Sequence, residues 1–216
     1  MYSVNFSVGL AEQPLHGQDR ALVNPELGLF VVCDGLGEFL ESGLAAERAT
    51  KAIETYCRAH EPSPETLAEA FESAHREIIE SPKFLGSTTV VAAWVHEDSL
   101  NWASVGDSRL YLRAGSGGIR MISRDEGYRN IVDNVLGDRR CFYGVRQQGA
   151  ITLTSGDKLA LVSDGITGDA GADLLSIGEL YKAIAPDDPQ EAADNLVQVA
   201  RKHDDRTAIV VRMLSA

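Results

Sequence analysis

Residues 27–37 read LGLFVVCDGLG. The first seven form a short apolar run with β-branched members, bounded by a turn signal at Asp34-Gly35-Leu36-Gly37, so the segment reads as a buried strand that leaves the core at an aspartate. Residues 159–168, LALVSDGITG, repeat the arrangement: an apolar strand runs into Asp164-Gly165. An aspartate at the point where a strand emerges is aimed at a fixed place, and the glycine after it lets another group approach the backbone. One such step alone reads as a turn. Two of them are accompanied by the acidic steps Gln18-Asp19 and Asp204-Asp205, each beside an apolar strand.

Outward from these strands, Ser3 to Leu10 alternates in part. Two helices are expected over 42–59 and from Ser63-Pro64 to about Ser81-Pro82. The first carries Leu44, Ala45, Ala49, Ala52, Ile53 and Tyr56 near helical spacing, and the second carries Leu67, Ala70, Phe71, Ala74 and Ile78. Strands over 87–95, 100–105 and 109–113 are close enough to suggest an antiparallel meander. A short helix is expected over 126–136. Strands follow at 149–153 and 158–163, with Ser155-Gly156-Asp157 as the turn between them, then helices at 176–185 and 190–203, and a last strand from Arg206 to Leu214. Grouped strands and grouped helices mean α+β with antiparallel sheets. No repeat or linker is visible, and one domain over 1–216 is expected.

The 216 residues suffice for a sizeable core, and 44% of them are apolar. A formal charge of −12 disfavours nucleic acid and anionic membrane surfaces as partners. The excess acid serves solubility, or a few converging carboxylates hold a divalent cation. The three cysteines, Cys33, Cys57 and Cys141, are odd in number and form no CxxC pair, which argues against a disulfide framework or a zinc site. Reduced thiols, the lack of a leader-like N-terminus and the lack of a long apolar run point to a cytoplasmic protein. Carboxylates meeting in one place repel unless cations neutralise them. Oxygen ligands suit Mg²⁺ or Mn²⁺, and two such ions clamp a phosphate and activate a water.

Six segments resemble, in order and along nearly the whole chain, those of the type 2C metal-dependent protein serine/threonine phosphatases, in their bacterial form. They are QDR at 18–20, VVCDGLGE at 31–38, GSTTVVAAW at 86–94, ASVGDSRLYLRAG at 103–115, GDKLALVSDGITG at 156–168 and DDRTAIVV at 204–211. The resemblance implies a β-sandwich of two antiparallel sheets flanked by helix pairs, with two metals at one end. It implies that Asp34 bridges the metals with the Gly35 carbonyl as a further ligand. Asp164 and Asp204 would complete the first site, and Asp19 would support the second. It implies hydrolysis of phosphoserine or phosphothreonine in a protein substrate, opposing a serine/threonine kinase, by in-line attack of activated water. Asp34 and Asp19 would be the catalytic pair.

The chain also departs from the family. An arginine five residues before the first aspartate, which grips phosphate, is Pro14 here; nearby, His16 either contacts phosphate or is a surface residue. The relatives' third metal site maps to Asp107 and Asp164 with a position that is Gly168 here, beside Asp169. Asp107 alternatively shapes the Gly106-Asp107 hairpin. The segment 122–149, a flap in relatives, is short and holds Arg124, Arg129, Arg139 and Arg140, one of which is a candidate to replace the missing arginine. Asp205 is read as a solvated neighbour of Asp204. Pro14 and Gly168 favour an alternative, a pseudophosphatase that binds or regulates without turnover.

Overall fold

The structure is a computed structural model that describes residues 6–36 and 40–215. Gly37 and Glu38, at the end of the VVCDGLGE segment, lie outside the described residues, as does the start of the strand expected from Ser3. The chain opens with β1 (Phe6–Gln13), β2 (Arg20–Asn24), β3 (Leu29–Cys33) and the short β4 (Gly35–Leu36). Helices α1 (Leu40–Arg58) and α2 (Pro64–Ile79) follow. Next come β5 (Ser87–Thr88), β6 (Val90–His96), β7 (Ser99–Val105), β8 (Arg109–Arg113) and β9 (Ile119–Met121). Two short strands, β10 (Gly127–Tyr128) and β11 (Ile131–Val132), precede β12 (Gln147–Thr152) and β13 (Lys158–Val162). The chain finishes with α3 (Asp164–Thr167), α4 (Ile177–Ala183), α5 (Pro189–Val199) and β14 (Arg206–Met213).

Two five-stranded antiparallel sheets result, one ordered β1-β14-β13-β8-β9 and the other β12-β7-β6-β3-β2. The architecture is α+β, a β-sandwich of two antiparallel sheets with helices on both outer faces, as expected. The period of two in β3 decides this layering. Phe30 and Val32 point between the sheets, where they meet Val91, Leu110, Leu161 and Ile209. Leu29, Val31 and Cys33 point the other way, against Ala45, Ala49, Ile53 and Phe71 of α1 and α2. In β14 the same alternation sends Ile209 and Val211 inward. Ala208 and Val210 face the outer layer with Leu180, Ala193 and Leu196 of α4 and α5. Central strands buried on both faces must be apolar throughout, which explains why the decisive runs do not alternate in hydropathy.

Local signals place the helices. Ser63 caps α2 by accepting from the Thr66 amide at 3.0 Å, with Pro64 next to it. Asp188 caps α5 in the same way, accepting from Gln190 at 3.0 Å. Ser176 and Glu179 form a capping box on α4.

Several expectations are corrected. Residues 126–136 form a small hairpin, not a helix. Arg129, in the left-handed region at φ 56, makes its turn, and its amide donates to the Ala170 carbonyl at 2.6 Å. The strands at 100–105 and 109–113 do not form a meander: β7 pairs with β6, but β8 pairs with β13 and β9 in the opposite sheet. The chain crosses at Gly106, φ 99, where a Cβ would lie 2.6 Å from the Thr89 side chain. The Ser155–Asp157 turn likewise joins strands of different sheets. Leu44 is exposed, because the alanine stripe of α1 seats on the sheet and leaves it aside. Helix α5 stops at Val199, with Ala200 extended, so residues 200–205 form a connection rather than the last turn of a helix.

Lys158 is buried in β13, and its ammonium reaches past the end of α4. It donates to the carbonyls of Ile184 at 3.3 Å, Ala185 at 2.8 Å and Pro186. Carbonyls at a helix end need donors, and here one side chain supplies them across the layer. Replacing Lys158 with Met is expected to destabilise the protein by about 2–4 kcal/mol, because buried acceptors lose their partner; a urea titration followed by circular dichroism measures it.

Candidate metal centre

The sandwich is open at the end where β3 and β13 deliver Asp34 and Asp164. A cleft of about 780 Å³ lies there, and five carboxylates line it: Asp34, Asp107, Asp164, Asp169 and Asp204. Gly35, Leu36, His16 and Lys202 also line it. Asp34 follows β3 directly, Asp164 follows β13 and opens α3, and Asp204 precedes β14, so both sheets contribute side chains to one place. Asp107 arrives from the crossing between β7 and β8. Asp169 follows the α3 turn, next to Gly168. Asp19 is buried beside this group, just before β2.

The electrostatics are those of crowded carboxylates away from bulk water. Neither oxygen of Asp19 reaches a hydrogen-bond partner among the described residues, nor does Oδ1 of Asp107. Burial pushes the Asp19 carboxyl up to about 6, a shift that the nearby Ser163 and Thr207 hydroxyls only partly offset. Burial, then repulsion from Asp164 and Asp125, pushes Asp107 up to about 7. Asp34 is held well above the usual carboxylate range by burial and by the charges of Asp19, Asp164, Asp107 and Asp204. Orphaned buried carboxylate oxygens fit a hard divalent cation, since they are acceptors with no donor. As they stand, however, no three acidic or imidazole groups among the described residues form a finished cage.

Lys202 also stands in this cleft. Its ammonium pairs with Asp164, with Asp169 at 2.8 Å and with Asp204 at 3.1 Å. Burial alone would lower its pKa, but Asp164 first, and then Asp169 and Asp204, outweigh burial and keep it charged above the ordinary lysine range. None of Arg124, Arg129, Arg139 or Arg140 lines the cleft. Arg129 stacks on Tyr128 at 5.3 Å and Arg140 pairs with Asp138 at 3.5 Å. The cation in the cleft is therefore one that the sequence reading passed over. Its only signal is a lysine two residues before the terminal Asp-Asp.

Asp205 is corrected too. It is buried, not solvated, and its carboxylate gathers the whole loop before β2. Oδ1 accepts from the amides of Leu15, of His16 at 2.6 Å and of Gly17 at 3.2 Å. Oδ2 accepts from Gln18 at 2.5 Å and Asp19 at 3.3 Å. Burial would raise its pKa, yet these amides bring it down to about 2. The loop thereby presents Asp19 inward and exposed His16 at the cleft rim. Gly165 is the glycine that close approach demands: a Cβ there would lie 1.8 Å from the Asp205 carbonyl oxygen. Arg109 of the Gly-Asp-Ser-Arg segment is a buried brace. It grips Asp125 with two bonds, at 2.8 and 2.7 Å, and Asp173 at 2.7 Å.

The family model of stage II sporulation protein E (SpoIIE) matches residues 26–214. No curated protein matches the sequence. Among solved structures, PppA, described as a key regulatory component of T6SS in Pseudomonas aeruginosa, is similar with a TM-score of 0.77 at 23% identity, over 97% of this chain and 98% of that one. The serine/threonine phosphatase PstP/Ppp of Mycobacterium tuberculosis gives a TM-score of 0.82 at 17% identity, over 98% and 100% of the two chains. MsPP from Mycobacterium smegmatis, a PPM Ser-Thr phosphatase in complex with cacodylate, gives 0.78 at 21% identity, over 99% and 100%. A PstP catalytic domain with a TM-score of 0.82 at 17% identity, covering 98% of this chain and 99% of that one, was crystallised with two manganese ions. At these identities the structural likeness shows the fold.

Two outcomes follow from the charges. Asp107 is raised in the folded state, so its ionised form opposes folding and its contribution worsens as pH rises from about 4 to about 7. Asp107→Asn is expected to stabilise the protein in chelator at pH 8 by on the order of 2–4 kcal/mol and to leave it nearly unchanged at pH 4; calorimetry at the two pH values reads this. Asp205 is depressed, so its contribution is present above about pH 4 and is lost as pH falls through about 2. Asp205→Ala is expected to cost about 3 kcal/mol or more at neutral pH and to blunt the acid sensitivity below pH 4, as followed by fluorescence during acid titration.

Proposed function

We propose a function from one premise: the chain belongs to the SpoIIE family, and its fold is that of the type 2C phosphatases. It is a metal-dependent phosphoprotein phosphatase that hydrolyses phosphoserine or phosphothreonine, acting in the cytoplasm against a serine/threonine kinase. The observation that carries this reading is the meeting of five carboxylates in one open cleft, with buried oxygens that lack donors.

Asp34, Asp164 and Asp204, with the Gly35 carbonyl, are the residues that would hold the first ions, and Asp19 would support them. Asp107 with Asp164 and Asp169 offers a third position. When bound, Mg²⁺ or Mn²⁺ supplies an acidified water and neutralises charge on the phosphoryl oxygens. The chain's own residues do the rest. The ends of β3 and β13 and the start of β14 place Asp34, Asp164 and Asp204 at one end of the sandwich, so the cleft is organised before substrate arrives. Leu36 and Val132 form apolar wall, and Asn130 and His16 offer polar contacts at the rim. His16 is the proposed phosphate contact in place of the family arginine missing at Pro14. An anionic substrate would be repelled by a cleft this acidic, so cations are needed for binding as well as for chemistry. Among the described residues, no helix is long and apolar enough to cross a membrane.

A second reading, a regulatory pseudophosphatase, is favoured by one observation: the Lys202 ammonium stands among the carboxylates. Hydrolysis of p-nitrophenyl phosphate and of a phosphothreonine peptide separates the two. Turnover with Mn²⁺ that stops in EDTA and falls by orders of magnitude in Asp34→Asn, with the fold retained, is the expected result. Mn²⁺ binding with no turnover on either substrate selects the pseudophosphatase.

A further inference from the structure

We infer that Lys202 is a tethered counter-cation of this cleft, which neutralises its carboxylates when no divalent ion is bound and must be displaced for the ion to enter. The inference rests on the reading of the cleft as a metal centre and adds a control of its occupancy.

Three features carry it. The first is stoichiometry. An ammonium has three N–H donors, and here it meets three carboxylates from two segments: Asp164 and Asp169 flanking α3, and Asp204 before β14. Taken with Lys202, these three contribute −2 in place of −3. The second is the tether. Helix α5 ends at Val199, and the Lys202 backbone is pinned because its carbonyl accepts from Arg206 at 2.8 Å. The main chain is held while a four-carbon stem carries the charge, so the ammonium can leave without moving the loop. The third is the contrast with Asp107 and Asp19, whose buried oxygens find no donor. The lysine serves one side of the cleft and leaves the other unsatisfied, so the site has a reason both to stay assembled without an ion and to accept one.

Lysine and a divalent ion compete because both are compact, strongly hydrated cations that seek the same oxygens. A positive charge among the same oxygens would also repel an incoming ion. Entry of the ion therefore couples to a swing of the side chain toward solvent, and affinity is lower than the carboxylates alone would give.

The test is calorimetric titration of Mn²⁺ into the full chain, without substrate, for wild type, Lys202→Met and Lys202→Arg, together with melting in EDTA and in Mn²⁺. Met keeps the length of the stem and removes the charge; Arg keeps the charge. Lys202→Met is expected to bind Mn²⁺ about tenfold tighter or more, to melt lower than wild type in EDTA, and to gain more from Mn²⁺. Lys202→Arg should stay near wild type. Lys202→Gln serves if the Met variant fails to fold. Mn²⁺ binding to Lys202→Met alone, with none to wild type, supports the inference in its strongest form. If wild type binds Mn²⁺ and Lys202→Met binds it equally or more weakly, the lysine is no competitor and the inference falls while the metal centre stands. If neither binds Mn²⁺, the metal centre itself is refuted, and the inference with it.

Discussion

Like charges held close together, away from bulk water, must be neutralised by protons or by cations, and this constraint governs the open end of the sandwich. Asp34, Asp107, Asp164, Asp169 and Asp204 line one cleft with Asp19 buried behind them. The protein meets the constraint in three ways. It raises the proton affinity of Asp19, Asp34 and Asp107. It brings in the Lys202 ammonium. It presents oxygens without donors, which suit a divalent ion. Each device is partial by itself, and together they describe a site whose charge state changes with what occupies it.

Such a site cannot rest on flexible loops, because repulsion would open it. The frame that resists is made of buried polar groups which take no part in the proposed chemistry. Asp205 draws five backbone amides onto one carboxylate and so fixes the loop that carries Asp19. Arg109 clamps Asp125 and Asp173, tying the segment after β9 to the loop after α3. Gly165 allows the Asp164 turn to lie against the Asp205 carbonyl. Such groups stabilise because each is fully partnered; losing one partner leaves the other buried and unsatisfied.

Lys202 bears on both functional readings. In an active phosphatase, an internal cation would keep the cleft assembled between metal-binding events and set the ion concentration at which it loads. In a regulatory protein, the same cation would make the assembled cleft permanent. The difference lies in the relative strength of one ammonium and the incoming ions, a quantity set by a few ångströms and a flexible stem.

The sequence by itself determined the layers. The unbroken apolar runs at 29–33 and 159–162 are what strands buried on both faces require, and the caps at Ser63 and Asp188 placed two helices, because these signals are local. It also indicated the aspartates, since a strand that ends on Asp-Gly directs its carboxylate out of the core. Only the tertiary structure decided which sheet each strand joined. β8 follows β7 closely yet pairs across the sandwich, and the crossing runs through Gly106, which lies close against Thr89. It turned 126–136 into a hairpin, where the bond from Arg129 to Ala170 spans 41 residues and leaves no trace in local spacing. Asp205 and Lys202 look like ordinary surface charge in the sequence. Their roles come from partners at the other end of the chain or on neighbouring loops, and a charge acquires its function from what lies within a few ångströms in space.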